Sequence, residues 1–121
     1  GYLAIEPTAA LSVIDVNTGK YIGKNTPSET IFRINMEAAA EIAVQLRLRN
    51  LSGIIIVDFI DMDREEDKER LLKYLRDLCR KDHVKTVVVD ITPLNLVEIT
   101  RKKTKRPLYE QAGRGRKGAA L

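Results

Sequence analysis

Two aspartates, each following a run of aliphatic residues, are the side chains of this chain best suited to chemistry. Asp15 follows the run at 11–14, and Asp58 follows the run at 53–57. Both runs are rich in β-branched residues, and the second is typical of a strand buried on both faces. A carboxylate there is costly to bury unless it is paired, hydrogen-bonded or bound to a metal. The two acids therefore need a common explanation.

The elements around these acids predict that they meet. Residues 10–17 and 53–60 are predicted strands, and the sequence Thr26-Pro27-Ser28-Glu29 between them is typical of a helix start. A β-α-β crossover leaves its two strands parallel, and sequential strands are often neighbours. Asp15 and Asp58 lie near the ends of their strands, so both fall at the carboxyl edge of the sheet, where ligand sites of open α/β sheets form. Neighbouring strands lie about 4.8 Å apart, close enough for one divalent cation to bridge both acids.

The residue types indicate which cation such a site would take. Oxygen ligands without a nearby histidine or cysteine favour Mg²⁺ or Mn²⁺ over zinc. Asn17 follows Asp15 by two residues, on the same strand face, where its amide is suited to orient that carboxylate. A structural explanation stays open, because acids at strand ends often cap a loop or pair with a surface lysine. Asp90 repeats the pattern on a third predicted strand, so the pattern alone is not specific.

The remaining chain predicts an α/β domain with a mixed sheet and the order β-β-α-β-α-β-β. A short strand at 2–6 joins strand 10–17 through a turn at 7–9, and further strands are predicted at 84–91 and 96–100. Leu71, Leu72 and Leu75 mark a second amphipathic helix that places Cys79 on its apolar face. Cys79 is therefore expected to be a core thiol, and His83 at the end of that helix a solvated side chain.

Composition bounds the function further. The chain has 121 residues, enough for one domain, and a formal net charge of +4. Residues 101–117 hold eight Lys or Arg against one acid, so the rest of the chain carries a charge of −3 and the basic end suits a polyanion such as nucleic acid. One cysteine excludes an internal disulfide, and no run approaches the roughly 20 apolar residues that span a bilayer. A cytoplasmic setting fits these features.

Several long motifs, in order, resemble the ribonuclease E/G family. They are Ala-Leu-Ser-Val-Ile-Asp-Val-Asn-Thr-Gly at 10–19, Asn-Met-Glu-Ala-Ala at 35–39 with Glu-Ile-Ala at 41–43, Gln-Leu-Arg-Leu-Arg-Asn-Leu at 45–51, Gly-Ile-Ile-Ile-Val-Asp-Phe-Ile-Asp-Met at 53–62, and Leu-Val-Glu-Ile-Thr-Arg-Lys at 96–102. The Thr-Gly pair and the Leu-Arg-Asn-Leu wording are nearer the ribonuclease G branch. The resemblance covers about residues 1–110.

The resemblance implies the DNase I-like catalytic subdomain of that family. It implies an Mg²⁺-dependent endoribonuclease that cuts single-stranded RNA, leaving a 5′-phosphate and a 3′-hydroxyl, in rRNA processing and RNA decay. Asp15 and Asp58 would bind the metal, and Asn17 would support Asp15. The sequence names no general base. Asp90 falls where relatives do not keep an acid, so it is left out of the site.

Two departures from the family pattern affect the domain interpretation. The RNA-binding S1 region and the 5′-end-sensing region have no counterpart here, and the cysteines of the zinc link that joins family subunits are missing. We therefore expect a catalytic nuclease domain at 1–110, weak in isolation, with no zinc and no zinc-linked oligomer. Residues 111–121 form a basic, glycine-rich tail that we expect to be disordered or added to the natural sequence.

The sequence therefore predicts a metal-dependent endoribonuclease domain acting on single-stranded RNA. Arg101, Lys102 and Lys103 are candidates for contacts with the RNA backbone. One alternative is a non-catalytic RNA-binding or assembly module that keeps the fold, and another is a DNA-cutting nuclease of related fold.

Overall fold

The computed structural model describes residues 3–8, 10–16 and 25–104. Five strands and two helices follow one another along the chain: β1 (Ala4–Pro7), β2 (Leu11–Asp15), α1 (Ser28–Leu48), β3 (Gly53–Asp58), α2 (Glu65–Cys79), β4 (Thr86–Ile91) and β5 (Leu96–Arg101). This confirms the predicted α/β class and element order. The tail at 111–121 and the proposed domain boundary near residue 110 lie outside the described residues. No helix in the described part of the chain is long and apolar enough to cross a membrane.

The strands form one mixed sheet in the order β1-β2-β3-β5-β4. β2 and β3 are parallel, as the helical crossover between them requires, and every other neighbouring pair is antiparallel. β5 returns between β3 and β4, so the centre of the sheet is formed by strands distant in sequence. β3 therefore has a neighbour on both sides, which fixes the strand that carries Asp58.

Both helices cover the same face of the sheet. The strand residues that point to that face are almost fully buried, among them Ile14, Ile55, Val57, Val97 and Ile99. They form one apolar cluster with α1 and α2, and Cys79 belongs to it, as predicted. Burial raises the pKa of the Cys79 thiol to about 11, and the negative charge of Asp82 adds to the rise, so this thiol is unreactive at neutral pH.

The other face of the sheet is open, which corrects the expectation that β3 is buried on both faces. Its aliphatic side chains are 40–46% exposed at five positions, namely Leu11, Val13, Ile54, Val87 and Val89. The expectation was wrong because both described helices lie on one side. A run of apolar residues in β3 suggested two covered faces, but only Ile55 and Val57 enter the core.

The connections at both ends of α1 set the position of β3. α1 begins at Ser28, within the predicted start signal, with Pro27 as the N-cap. It makes no side-chain cap hydrogen bond, and the Pro27 carbonyl accepts from the amides of Thr30 and Ile31. After α1 the chain turns through Asn50 and Gly53, whose φ angles are 48° and 79°. A Cβ at Gly53 would lie 3.1 Å from the carbonyl oxygen of Ala10. Glycine therefore lets β3 begin close against the start of β2.

Candidate active site

The parallel pairing of β2 and β3 places Asp15 directly opposite Asp58. The two are partners in the strand register, and each is the last residue of its strand. The Val16 amide donates to the Asp58 carbonyl at 3.0 Å, so the pairing extends past both acids. Partners in adjacent strands lie about 4.8 Å apart. The structure thus confirms the predicted meeting of these two residues at the carboxyl edge of the sheet.

Both carboxylates belong to the open face of the sheet. Strand side chains alternate, so Asp15 shares a face with Val13, and Asp58 shares it with Ile54 and Ile56. Asp58 is exposed and Asp15 is half-buried. The acids are therefore accessible to a cation and to a polyanionic substrate, which the expected burial of Asp58 would not have allowed.

The local field around Asp58 disfavours its negative charge. Partial desolvation is the largest cause that raises the pKa of its carboxyl, and the negative charges of Asp15 and Asp61 raise that pKa further. Among the described residues, no lysine or arginine forms an ion pair with Asp58. A bound cation would remove this repulsion, so the electrostatics fit a metal site.

The donor set fits a hard cation held by few protein ligands. The described residues contain no group of three or more His, Cys, Asp or Glu arranged to hold a metal. Two carboxylates would leave most coordination positions to water and substrate, which is how Mg²⁺ is commonly bound. Asn17, the expected support of Asp15, lies outside the described residues, and its role stays a prediction.

One buried residue near the site was missed by sequence reasoning. Asn35 of α1 is fully buried, and its side chain makes two hydrogen bonds to the backbone of Ile60. Nδ2 donates to the Ile60 carbonyl at 2.9 Å, and the Ile60 amide donates to Oδ1 at 3.1 Å. Ile60 lies two residues after Asp58. The available signal was an asparagine on the same helical face as Ala39, Ile42 and Leu46.

Arg101 has a different role from the expected RNA contact. It is 3% exposed, and its guanidinium donates twice to the Asp82 carboxylate, at 2.9 and 3.2 Å. It also donates to Asn50 Oδ1 and to the Leu51 carbonyl. Burial and four hydrogen bonds leave it unable to reach RNA without breaking this network, so we assign it a structural role.

Lys102 and Lys103 are exposed, but they lie at the other end of the sheet. Asp58 pairs with Leu96 at the start of β5, whereas Gly53 pairs with Arg101 at its end. Leu96 and Arg101 are five residue steps apart along β5, or about 17 Å. The carboxylates and the two lysines are not brought together, so an RNA contacting both must run along the sheet.

Comparisons with known proteins show which family the chain belongs to. Residues 1–104 match the Ribonuclease E/G family. The chain is 50% identical over 105 residues to ribonuclease G of Salmonella typhimurium (strain SL1344), covering 87% of this chain and 22% of that protein. It is 52% identical over 108 residues to ribonuclease G of Haemophilus influenzae (strain ATCC 51907 / DSM 11121 / KW20 / Rd), covering 89% and 22%.

A similar relation holds for ribonuclease E of Nostoc sp. (strain PCC 7120 / SAG 25.82 / UTEX 2576), at 47% identity over 113 residues, covering 93% of this chain and 16% of that protein. The chain thus spans about a fifth of the length of the curated relatives it matches. The match over most of its residues shows that the chain belongs to the ribonuclease E/G family.

Proposed function

We propose that this chain is the metal-binding catalytic part of an endoribonuclease that hydrolyses single-stranded RNA, leaving 5′-phosphate and 3′-hydroxyl ends. Membership of the ribonuclease E/G family supports an endoribonuclease role in general. The finer assignments, namely Mg²⁺ or Mn²⁺ as cofactor, the products, and a role in rRNA processing and RNA decay in the bacterial cytoplasm, are part of the proposal.

The observation that carries the proposal is the pairing of Asp15 with Asp58 at the carboxyl edge of two parallel strands. Partial desolvation and then the negative charges of Asp15 and Asp61 raise the pKa of Asp58, so the two paired acids gain no stability from each other. Carboxyl groups whose pKa is raised by burial and by neighbouring acids are typical of functional sites. Asp15 and Asp58 are therefore the residues that would hold the metal, and Asn17 would orient Asp15.

When bound, Mg²⁺ would neutralise charge that develops on the phosphate and orient the attacking water. The chain's own contribution is rigid placement. The Asp15–Asp58 pairing fixes the distance between the acids, and the ladder bond from Val16 extends that pairing beyond the strand ends. The open face leaves room for a phosphodiester beside both carboxylates.

RNA binding by this chain alone should be weak. Two further acids, Glu98 and Asp90, pair across β5 and β4 on the open face, and they add negative charge that repels a polyanion. Lys102 and Lys103 lie at the far end and remain candidates for backbone contacts. We propose that further RNA contacts come from parts of the family protein beyond this fifth of its length.

The test is cleavage of a 5′-monophosphorylated, single-stranded RNA in Mg²⁺, with product ends identified by mass spectrometry. Asp15→Asn and Asp58→Asn each keep side-chain size and remove the charge that binds the cation. We expect each to lower the cleavage rate by at least about 100-fold, comparable to the loss of one electrostatic stabiliser in other enzymes. Asp90→Asn is the matched control, because it removes an exposed strand acid outside the pair, and its rate should stay near that of the unchanged chain.

Three results would contradict the proposal. Cleavage that survives both Asp15→Asn and Asp58→Asn would exclude the paired acids. RNA binding without cleavage, at metal concentrations that saturate the site, would favour the non-catalytic binding module. Cleavage of matched DNA at the rate of RNA would favour the DNA-cutting alternative.

A further inference from the structure

Asn35 is a polar side chain placed in the apolar interior, and both polar ends of its amide are used by one residue. It is fully buried, and it pairs with the amide and the carbonyl of Ile60 as a neighbouring strand would. β3 ends at Asp58, so the backbone of Ile60 lies beyond the sheet ladder. Asn35 thus gives the Ile60 backbone the donor and the acceptor that a neighbouring strand would give.

The segment around Ile60 is buried on the side that faces the core and exposed on the other side. Phe59, Ile60 and Met62 are buried in the core, whereas Asp58 and Asp61 are exposed. The segment after β3 therefore presents two acids outward from a buried backbone. Apolar contacts hold this segment against the helices but do not select one backbone orientation, whereas the two hydrogen bonds between Asn35 and Ile60 do.

We propose that Asn35 is a positioning residue that fixes the segment 59–61 and, through it, the carboxylate of Asp58 opposite Asp15. This inference rests on the proposed metal site and names a residue in α1 on which its geometry depends. Loss of the amide should therefore loosen the site more than it loosens the sheet.

The first experiment is amide hydrogen exchange on the metal-free chain. Asn35→Ala removes both bonds, and Leu46→Ala is the matched control, because Leu46 is equally buried in α1 but accepts the Leu51 amide near the start of β3. We expect exchange at Ile60 and Asp61 to rise at least about tenfold more in Asn35→Ala than exchange within residues 55–57. Leu46→Ala should show no such preference. A uniform rise in Asn35→Ala would overturn the inference.

The second experiment measures Mn²⁺ affinity by electron paramagnetic resonance, under conditions where each variant is folded. Outer residues that orient metal ligands typically change affinity 10–100-fold, so Asn35→Ala should weaken binding by at least about tenfold, and Leu46→Ala should not. Equal affinities in these two variants would overturn the positioning role. If Asn35→Ala does not fold, Asn35→Ser keeps one polar atom, too short to serve both Ile60 groups, and the same tenfold loss is expected.

Asp58→Asn separates this inference from the proposed function. If Asp58→Asn binds Mn²⁺ as tightly as the unchanged chain, the paired acids are not the metal site and the proposed function fails. Local loss of exchange protection in Asn35→Ala would still support the inference that Asn35 fixes the segment 59–61. If Asp58→Asn abolishes binding and Asn35→Ala does not weaken it, the metal site stands and the Asn35 inference alone fails.

Discussion

At one end of the sheet Asp58 lies beside Asp15, and at the other end Asp82 lies beside Arg101. The Asp82 and Arg101 side chains are 4% and 3% exposed, and they share two hydrogen bonds. Burial alone would raise the pKa of Asp82, but its bonds from Arg101 and the Val84 amide hold that pKa below the ordinary value. The pKa of Asp58 is instead raised, by partial burial and by its acidic neighbours.

The carboxylate of Asp82 stabilises the fold, whereas the carboxylate of Asp58 is only positioned by the fold. Asp82 is paired, multiply hydrogen-bonded and internal, so its charge is compensated in the chain itself. Asp58 is exposed beside another acid, and no lysine or arginine among the described residues forms an ion pair with it.

Arg101→Met should be the most damaging single change. It leaves the Asp82 carboxylate buried without its cation, and breaking a buried ion pair on one side typically costs about 3–5 kcal/mol. Urea unfolding at pH 7 measures the loss. Lys102→Met is the matched control, because the neighbouring side chain is exposed, and it should change the free energy of unfolding by less than about 0.5 kcal/mol.

The double variant Asp82→Leu with Arg101→Met sharpens this prediction. Removing both charges leaves no uncompensated buried ion, so the double variant should be less destabilised than Arg101→Met alone. Recovery should be partial, because Asn50 and the Leu51 carbonyl lose a donor. A double variant less stable than Arg101→Met would show that Asp82 stabilises the fold independently of Arg101.

Mg²⁺ should stabilise the other end of the sheet. A ligand at ten times its dissociation constant adds about 1.4 kcal/mol to the free energy of unfolding. Thermal unfolding with and without Mg²⁺, at constant ionic strength, measures the shift. Asp90→Asn should respond like the unchanged chain and Asp58→Asn should not. An equal Mg²⁺ effect in Asp58→Asn would mean that the cation acts elsewhere.

Much of the fold could be predicted because its local signals agree. Alternating or continuous apolar runs, a helix start and the crossover rule gave the parallel β2–β3 pair, and the similar positions of Asp15 and Asp58 gave their register. The insertion of β5 between β3 and β4 could not be predicted, since it depends on contacts between distant segments. The exposure of one face of the sheet could not be predicted for the same reason, because aliphatic runs do not show which side the helices cover.

Only part of the candidate site could be predicted from the sequence. Asn35 was missed because its partner is the Ile60 backbone, which has no signature in the sequence. The basic run that Arg101 begins predicts a contact with the RNA backbone. Arg101 also follows Val97 and Ile99 at a spacing of two, however, and so shares their buried face. Strand alternation was the better guide to its position than charge.

The smallest effect is expected from Asp58→Asn in the absence of metal. Removing an acid that lies beside other acids should leave the chain as stable as before, or more stable by up to about 0.5 kcal/mol at pH 7. A carboxyl whose pKa is raised by folding favours the fold below its unfolded pKa, near pH 4, and loses that contribution as pH rises through the folded pKa. The difference between Asp58→Asn and the unchanged chain should therefore shrink as pH falls from 7 towards 4. Urea unfolding across that range measures it. An Asp58→Asn variant that is less stable than the unchanged chain at pH 7, with a deficit that narrows on acidification, would mean that ionised Asp58 stabilises the fold as Asp82 does.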